Sequence, residues 1–172
     1  ECPSARDAAT FARSIHAIPA YAYLGDVSES PTGDKRAQTF EDSFLDELIS
    51  TLKELGFQAI TYMPPRNTRK QLERLQQLCR HHGLMEISGV DINSSRQSFN
   101  CPILLDPAFQ HLCDAAWALI AHEKYAAQNE TFGLFHPENP LIDQSLETRV
   151  QHYAALGRNI NSHQPENLKE LL

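Results

Sequence analysis

The chain has 172 residues, of which 41% are hydrophobic and 22% are charged, and these proportions argue against a disordered protein. The net charge of −7, without any basic cluster, argues against non-specific binding to nucleic acid. No apolar run is long enough to span a membrane and no signal peptide is visible, so we expect no membrane partner.

The first predicted elements are a helix and a strand. Ser4 and Asp7 form a helix-capping pattern, and apolar residues at helical spacing continue to Ile15. The apolar and aromatic segment 18–24 predicts a strand. The polar segment 25–37 predicts a long loop, and loops of this length in compact domains usually have a function.

Two further helix–strand pairs follow along the chain. Thr39 and Asp42 predict the start of an amphipathic helix that ends at Gly56. Asn67 is predicted to cap another helix, which ends at Gly83. The corresponding strands are predicted over 57–63 and 85–90, and further helices from Asp106, from Ser145 and from Pro165.

Strands that alternate with helices predict a parallel sheet, so we expect an α/β fold. Three strands cannot close a barrel, and the chain begins at Glu1 with a helix that feeds a strand. We therefore expect the C-terminal half of a (β/α) barrel or a related open sheet over 1–125, with a helical extension packed on it over 126–172. A smaller, complete α/β domain is the alternative.

Polar residues follow the predicted strands, at the sheet edge where parallel sheets collect ligands. Asp91 and Asn93 alternate at the end of the third strand, so both side chains can point to one face. Oxygen ligands at this spacing suit a divalent cation, and Asp26 is close enough to the first strand to reach the same site. The alternative is an Asx turn, in which Asp91 and Asn93 bond only local backbone.

Arginines near the second and third strand ends favour an anionic ligand. Arg66 and Asn67 lie between a strand and a helix N-terminus, where a guanidinium and free backbone N–H groups can bind phosphate or carboxylate. Arg96 follows the third strand, and the two arginines facing one carboxylate cluster would bind an anionic substrate. Alternatively, Asn67 is only a helix cap and the arginines pair with acidic side chains.

The sequence contains no motif for nucleotide binding, for serine-type nucleophilic catalysis or for a zinc site. The sequence has no glycine-rich phosphate loop, nucleophile elbow or His-Glu-x-x-His pattern. His122 is interpreted as stabilising a helix C-terminus, and His111 shows no pairing that suggests a metal site. The four cysteines lack zinc-site spacing and predict reduced, mostly buried thiols in a cytoplasmic protein.

With these strand ends in view, the chain resembles the polymerase-and-histidinol-phosphatase (PHP) family over roughly residues 5 to 125. Segment 18–25, Ile-Pro-Ala-Tyr-Ala-Tyr-Leu-Gly, is similar to the family's strand that ends in Ala-His-Pro-Gly. Segment 89–93, Gly-Val-Asp-Ile-Asn, is similar to its late Gly-Ser-Asp-x-His motif. Tyr23 and Asn93 stand where the family has ligating histidines.

The resemblance implies a distorted (β/α) barrel that binds divalent Mn, Fe or Zn at its strand ends and hydrolyses phosphate esters with metal-activated water. It implies Asp91, Asn93 and Asp26 as metal ligands, while the N-terminal half of the barrel, missing from this chain, supplies most of the others.

On the same resemblance, Asp91, Arg66 and Arg96 are the expected catalytic residues. Arg66 and Arg96 hold a small phosphorylated substrate, with Tyr23 and Asn67 beside it. The substitutions at Tyr23 and Asn93 favour the alternative function, a non-catalytic, barrel-derived domain that binds an anionic ligand or a protein partner.

Overall fold

The computed structural model describes residues 2–28, 36–90, 92, 95–96, 100–161, 163–164 and 167–168. Within these residues the fold is mixed α/β, with one parallel sheet and helices on both of its faces. No helix in these ranges is both long and apolar enough to cross a membrane. The elements are α1 (Ala5–Ser14), β1 (Ala20–Ala22), α2 (Leu45–Leu55), β2 (Ala59–Tyr62), α3 (Arg69–His82), β3 (Met85–Ser88), α4 (Gln110–Gln128) and α5 (Leu146–Arg158).

The sheet has the strand order β1-β2-β3, and both strand pairs are parallel. Ala59 in the central strand pairs with Ala20 on one side and with Met85 on the other. The predicted parallel α/β arrangement is therefore confirmed. Each strand is shorter than predicted, because the chain turns soon after it, for example at Gly25, whose φ is 69°.

Two apolar layers cover the two faces of the sheet. Successive side chains of a strand point to opposite faces, so Ile60 and Tyr62 lie on one side of β2 and Ala59 lies on the other. The first face packs against buried residues of α2 and α3, and the second packs against α4 and α5. Of the four cysteines only Cys79 is buried, so the prediction of mostly buried thiols is wrong, although all four are free.

The entry to α2 differs from the prediction. A short 3-10 turn over Asp42–Phe44 precedes the helix, which begins at Leu45 rather than at Thr39. Asp42 does not cap it, because its carboxylate accepts hydrogen bonds from the turn after β1. The predicted stop at Gly56 is confirmed, since this glycine has a φ of 91° and closes the last turn.

The cap of α3 is one residue later than predicted. Thr68 accepts from the backbone N–H of Gln71, and the Gln71 side chain accepts from the N–H of Thr68, which together form a capping box. The prediction that Asn67 caps this helix is wrong, because its side chain reaches the turn after β1 instead. Gly83 ends the helix with a φ of 60°, as predicted.

The C-terminal helices are largely as expected. Ser145 caps α5 through the N–H of Thr148, while Asp106 caps a 3-10 turn that leads into α4. Because α4 continues to Gln128, His122 lies well inside it rather than at its C-terminus, so that interpretation is wrong. The helix expected over 165–172 falls mostly outside the described residues. The division of the chain at 125/126 stays a prediction.

Candidate functional site

The turns that follow β1 and β2 are joined by two side chains. Arg66 Nε donates to the carbonyl oxygen of Leu24 at 3.1 Å, and Asn67 Nδ2 donates to the same oxygen at 2.6 Å. The structure therefore brings Arg66 and Asn67 against the turn that carries Asp26. This is the neighbourhood that parallel pairing of the two strands predicts.

Arg66 is half-buried and its guanidinium has a fixed orientation. Its Cζ lies 5.5 Å from the centroid of the Phe40 ring, and its Nε is held by Leu24. Among the described residues the two terminal nitrogens of Arg66 have no hydrogen-bond partner. An oxyanion can therefore bind to these nitrogens without displacing a contact to any residue that the structure describes.

Asn67 combines one strong hydrogen bond with one unmet acceptor. Its Nδ2 is used by Leu24, while its buried Oδ1 has no partner in the described part of the chain. A Cβ at position 25 would lie 2.6 Å from Asn67 Nδ2 and 2.8 Å from the Tyr23 hydroxyl. Only glycine at position 25 allows the amide to approach this closely.

Asp26 organises the long loop through both its side chain and its backbone. Its Oδ1 accepts from the N–H of Phe40 at 2.7 Å, and its carbonyl oxygen accepts from Gln71 Nε2 at 2.8 Å. An antiparallel bridge between Val27 and Gln38 closes the base of the loop. Oδ1 of the Asp26 carboxylate is thus occupied by Phe40, whereas Oδ2 has no hydrogen-bond partner among the described residues.

Tyr23 is fully buried, and its hydroxyl is used internally. It donates to Asp42 Oδ1 at 2.5 Å. Burial, followed by this hydrogen bond, raises the pKa of Tyr23, so the hydroxyl stays protonated. Its polar atom therefore belongs to the turn, and a substrate would have to compete with Asp42 for it.

Asp42 and Glu41 complete this arrangement, and the sequence analysis did not identify them as site residues. Glu41 is 4% exposed, and its Oε1 accepts from the N–H of Leu24 at 2.7 Å. Burial alone would raise the pKa of Asp42, but hydrogen bonds from Gln71, Tyr23 and the backbone of Asp26 outweigh it and lower that pKa.

Seven side chains meet at the turns after β1 and β2, and we call them the turn cluster. They are Tyr23, Asp26, Glu41, Asp42, Arg66, Asn67 and Gln71.

The remaining predicted site residues are not brought into the turn cluster by the described structure. Arg96 is exposed in a turn, and Asp91 and Asn93 lie outside the described residues. Within those residues no three His, Cys, Asp or Glu side chains are grouped so that they could hold a metal ion. Of the expected metal ligands, the described structure therefore contains Asp26 alone.

Comparison with protein-family models, with curated proteins and with solved structures found no match to this chain.

Proposed function

We propose that the chain is the C-terminal part of a metal-dependent hydrolase of the PHP type that acts on phosphate esters, with its parallel sheet as an arc of a (β/α) barrel. The observation that carries this proposal is the position of Arg66 at the carboxyl edge of the sheet. Its terminal nitrogens have no hydrogen-bond partner in the described part of the chain, and Leu24 and Phe40 fix the plane of its guanidinium. Such a planar fork matches the oxygens of a phosphate group.

In this proposal the chain's own residues bind and orient the substrate. Arg66 and Arg96 hold the phosphate, and Asn67 Oδ1, which has no partner among the described residues, accepts a hydrogen bond from a substrate hydroxyl. Asp91 ligates the divalent ions, with Asn93 and Asp26 Oδ2 as further ligands and most of the others supplied from upstream of this chain. The ions, Mn, Fe or Zn, supply activation of the attacking water.

Elemental analysis tests the metal component directly. The protein is expressed with any upstream sequence that its gene encodes, and manganese, iron and zinc are measured after purification. We expect two or more ions per chain, and we expect Asp91→Ala to lose them. A folded protein that binds none of the three metals under ample supply would overturn the hydrolase.

Kinetics on phosphate esters test the role of Arg66. Removing the fork with Arg66→Gln should raise KM about tenfold or more, because a charge-assisted hydrogen-bond pair to phosphate is lost. The matched control is Arg6→Gln, on the exposed surface of α1. Equal kinetics for both variants would remove Arg66 from the site.

A second function is a non-catalytic domain that binds an anionic ligand or a partner through Arg66. The observation in its favour is that the Tyr23 hydroxyl and one Asp26 carboxylate oxygen are already bonded within the turn cluster. Titration of metal-free protein with inorganic phosphate distinguishes the two functions. Binding that needs Arg66, together with no bound metal and no ester hydrolysis, supports the binding domain.

A further inference from the structure

A cavity lies away from the turn cluster, between α3, β3 and the first turns of α4 and α5. Its volume is about 510 Å³, which is within the usual range of small-molecule sites. None of its lining residues belongs to the turn cluster. Its charged and hydrogen-bonding side chains include Gln76, Arg80, Glu86, His111, Asp114 and Glu147.

Glu86 is a nearly buried carboxylate in the wall of this cavity. Its side chain is 9% exposed, and its Oε2 accepts from the Tyr62 hydroxyl at 2.8 Å. His111 Nε2 lies 3.2 Å from the same Oε2. Both contacts fall on one oxygen, and in the described part of the chain Oε1 has no hydrogen-bond partner. The carboxylate therefore offers one acceptor atom to a ligand.

His111 offers a second acceptor beside the first. The Tyr62 hydroxyl donates a hydrogen bond to Glu86 and accepts one from Gln76 Nε2 at 3.1 Å. Burial raises the pKa of Tyr62, which keeps this hydroxyl a donor. His111 Nε2 also lies 3.1 Å from the Tyr62 hydroxyl, whose hydrogen is already directed at Glu86. We therefore assign the Nε2–H tautomer, in which His111 donates to Glu86 and Nδ1 is left as an acceptor. The His111 side chain is 41% exposed and lines the cavity.

The charge of the cavity favours a cation. Glu86 and Glu147 contribute negative charge to the cavity. The charge of Asp114, another lining residue, is neutralised by its ion pair with Arg158. Arg80 is the basic residue that lines the cavity from α3, and it is exposed. The remaining wall includes the apolar side chains Leu84, Leu146 and Val150.

We propose that this cavity binds a small organic cation, an amidinium, guanidinium or primary ammonium group on an apolar body. The cationic group donates to Glu86 Oε1 and His111 Nδ1, and its apolar body packs against the wall formed by Leu84, Leu146 and Val150. A buried carboxylate with one open oxygen gains most from a ligand that carries both the charge and the donor.

Benzamidine and its neutral isostere benzamide test this proposal, with affinities measured by titration calorimetry and binding mapped by amide NMR shifts. We expect benzamidine to bind at least about tenfold more tightly than benzamide and to shift the amides around Glu86 and His111. Glu86→Gln should weaken benzamidine binding about tenfold or more, because it removes the charge. The matched control, Glu54→Gln on exposed α2, should leave the affinity unchanged.

His111→Ala provides a second variant in case Glu86→Gln does not fold, since this ring is partly exposed. It should weaken binding about fivefold. Equal affinity for the two probes, unchanged affinity in both cavity variants, or no benzamidine binding at about 10 mM would overturn the proposal. Phosphate binding through Arg66 is independent of these outcomes, so failure here leaves the proposed function intact.

Discussion

The side-chain amide of Asn67 donates to the carbonyl oxygen of Leu24 at 2.6 Å, and this contact ties the turn after β2 to the turn after β1. Its donor and acceptor are 43 residues apart in the sequence. The amide is thus a long-range connection at the carboxyl edge of the sheet.

Removal of this amide should destabilise the protein. Asn67→Ala leaves Leu24 with Arg66 as its remaining side-chain donor, and we expect a loss of about 1–2 kcal/mol in the free energy of unfolding. Urea denaturation of the protein expressed from its full native sequence measures the change. Gln77→Ala, at an exposed position of α3, is the control and should change stability much less. Equal losses in the two variants would show that the bond from Asn67 to Leu24 adds no stability of its own.

Gly25 and Gly89 form a matched pair for testing the close approach in the turn cluster. Gly25→Ala places a Cβ 2.6 Å from Asn67 Nδ2 at a φ of 69°, so we expect a loss of about 2–4 kcal/mol. At Gly89 the nearest atom to a Cβ is 3.7 Å away, which is ordinary van der Waals contact. Gly89→Ala should therefore change stability by no more than about 1 kcal/mol. Urea denaturation measures both, and a neutral Gly25→Ala variant would contradict the observed geometry.

Tyr23→Phe should reduce the loss of stability in acid. The pKa of Asp42 is lowered in the folded protein, so its contribution is complete above the unfolded value of 3.8 and is lost as the pH falls through the folded value. Removal of the Tyr23 hydroxyl takes away one bond that favours the carboxylate, which brings the two pKa values closer. Unfolding free energies measured across the acidic range should show a shallower pH dependence than in the parent protein. Tyr21→Phe, two residues earlier in β1, is the hydroxyl control, and an identical slope for both variants would argue against the Tyr23–Asp42 bond.

His122 should make stability depend on pH in a higher range. Its pKa is lowered mainly by burial, and its Nδ1 accepts from the N–H of Leu134 at 2.9 Å, which requires a neutral ring. As the pH falls, His122 becomes protonated near pH 6.5 in the unfolded chain but only at a lower pH in the folded protein. Stability should therefore be complete above about pH 7 and fall as the pH drops through the folded pKa.

His122→Asn keeps an oxygen acceptor for Leu134 but does not titrate, so its stability should be nearly constant over this range. Urea denaturation at several pH values compares it with the parent protein. His81→Asn, at an exposed position of α3, should retain the parental dependence. A parental slope in His122→Asn would assign the effect to other groups.

The features that the sequence predicted correctly depend on local interactions. Ser4 and Ser145 accept from backbone groups three residues away, and Gly56 and Gly83 close helices at positive φ. The alternation of helices and strands likewise predicts the parallel sheet from local patterns alone. Such contacts are visible in a short window of sequence.

The site was only partly predictable, because its contacts join distant segments. The sequence pattern predicts Arg66 at a strand end. The bond from Tyr23 to Asp42 spans 19 residues, and Asp42 was instead interpreted as part of a helix-capping pattern with Thr39. His111 and Glu86 are 25 residues apart, so no spacing rule pairs them. The cap of α3 was misplaced for a related reason. Asn67 and Thr68 are both good capping residues, and the long-range partner of Asn67 decides between them.

The three-residue strand β1 is held by more than its ladder. The N–H of Leu24 is bonded by Glu41 and its carbonyl by Asn67, so β1 cannot separate from β2 unless the entry to α2 and the turn before α3 also release it. An edge strand this short usually frays on its own, and its amide protons then exchange early with solvent. In this protein we therefore expect the backbone amides of Tyr23 and Leu24 to exchange together with those of the turn before α3, as one cooperative unit.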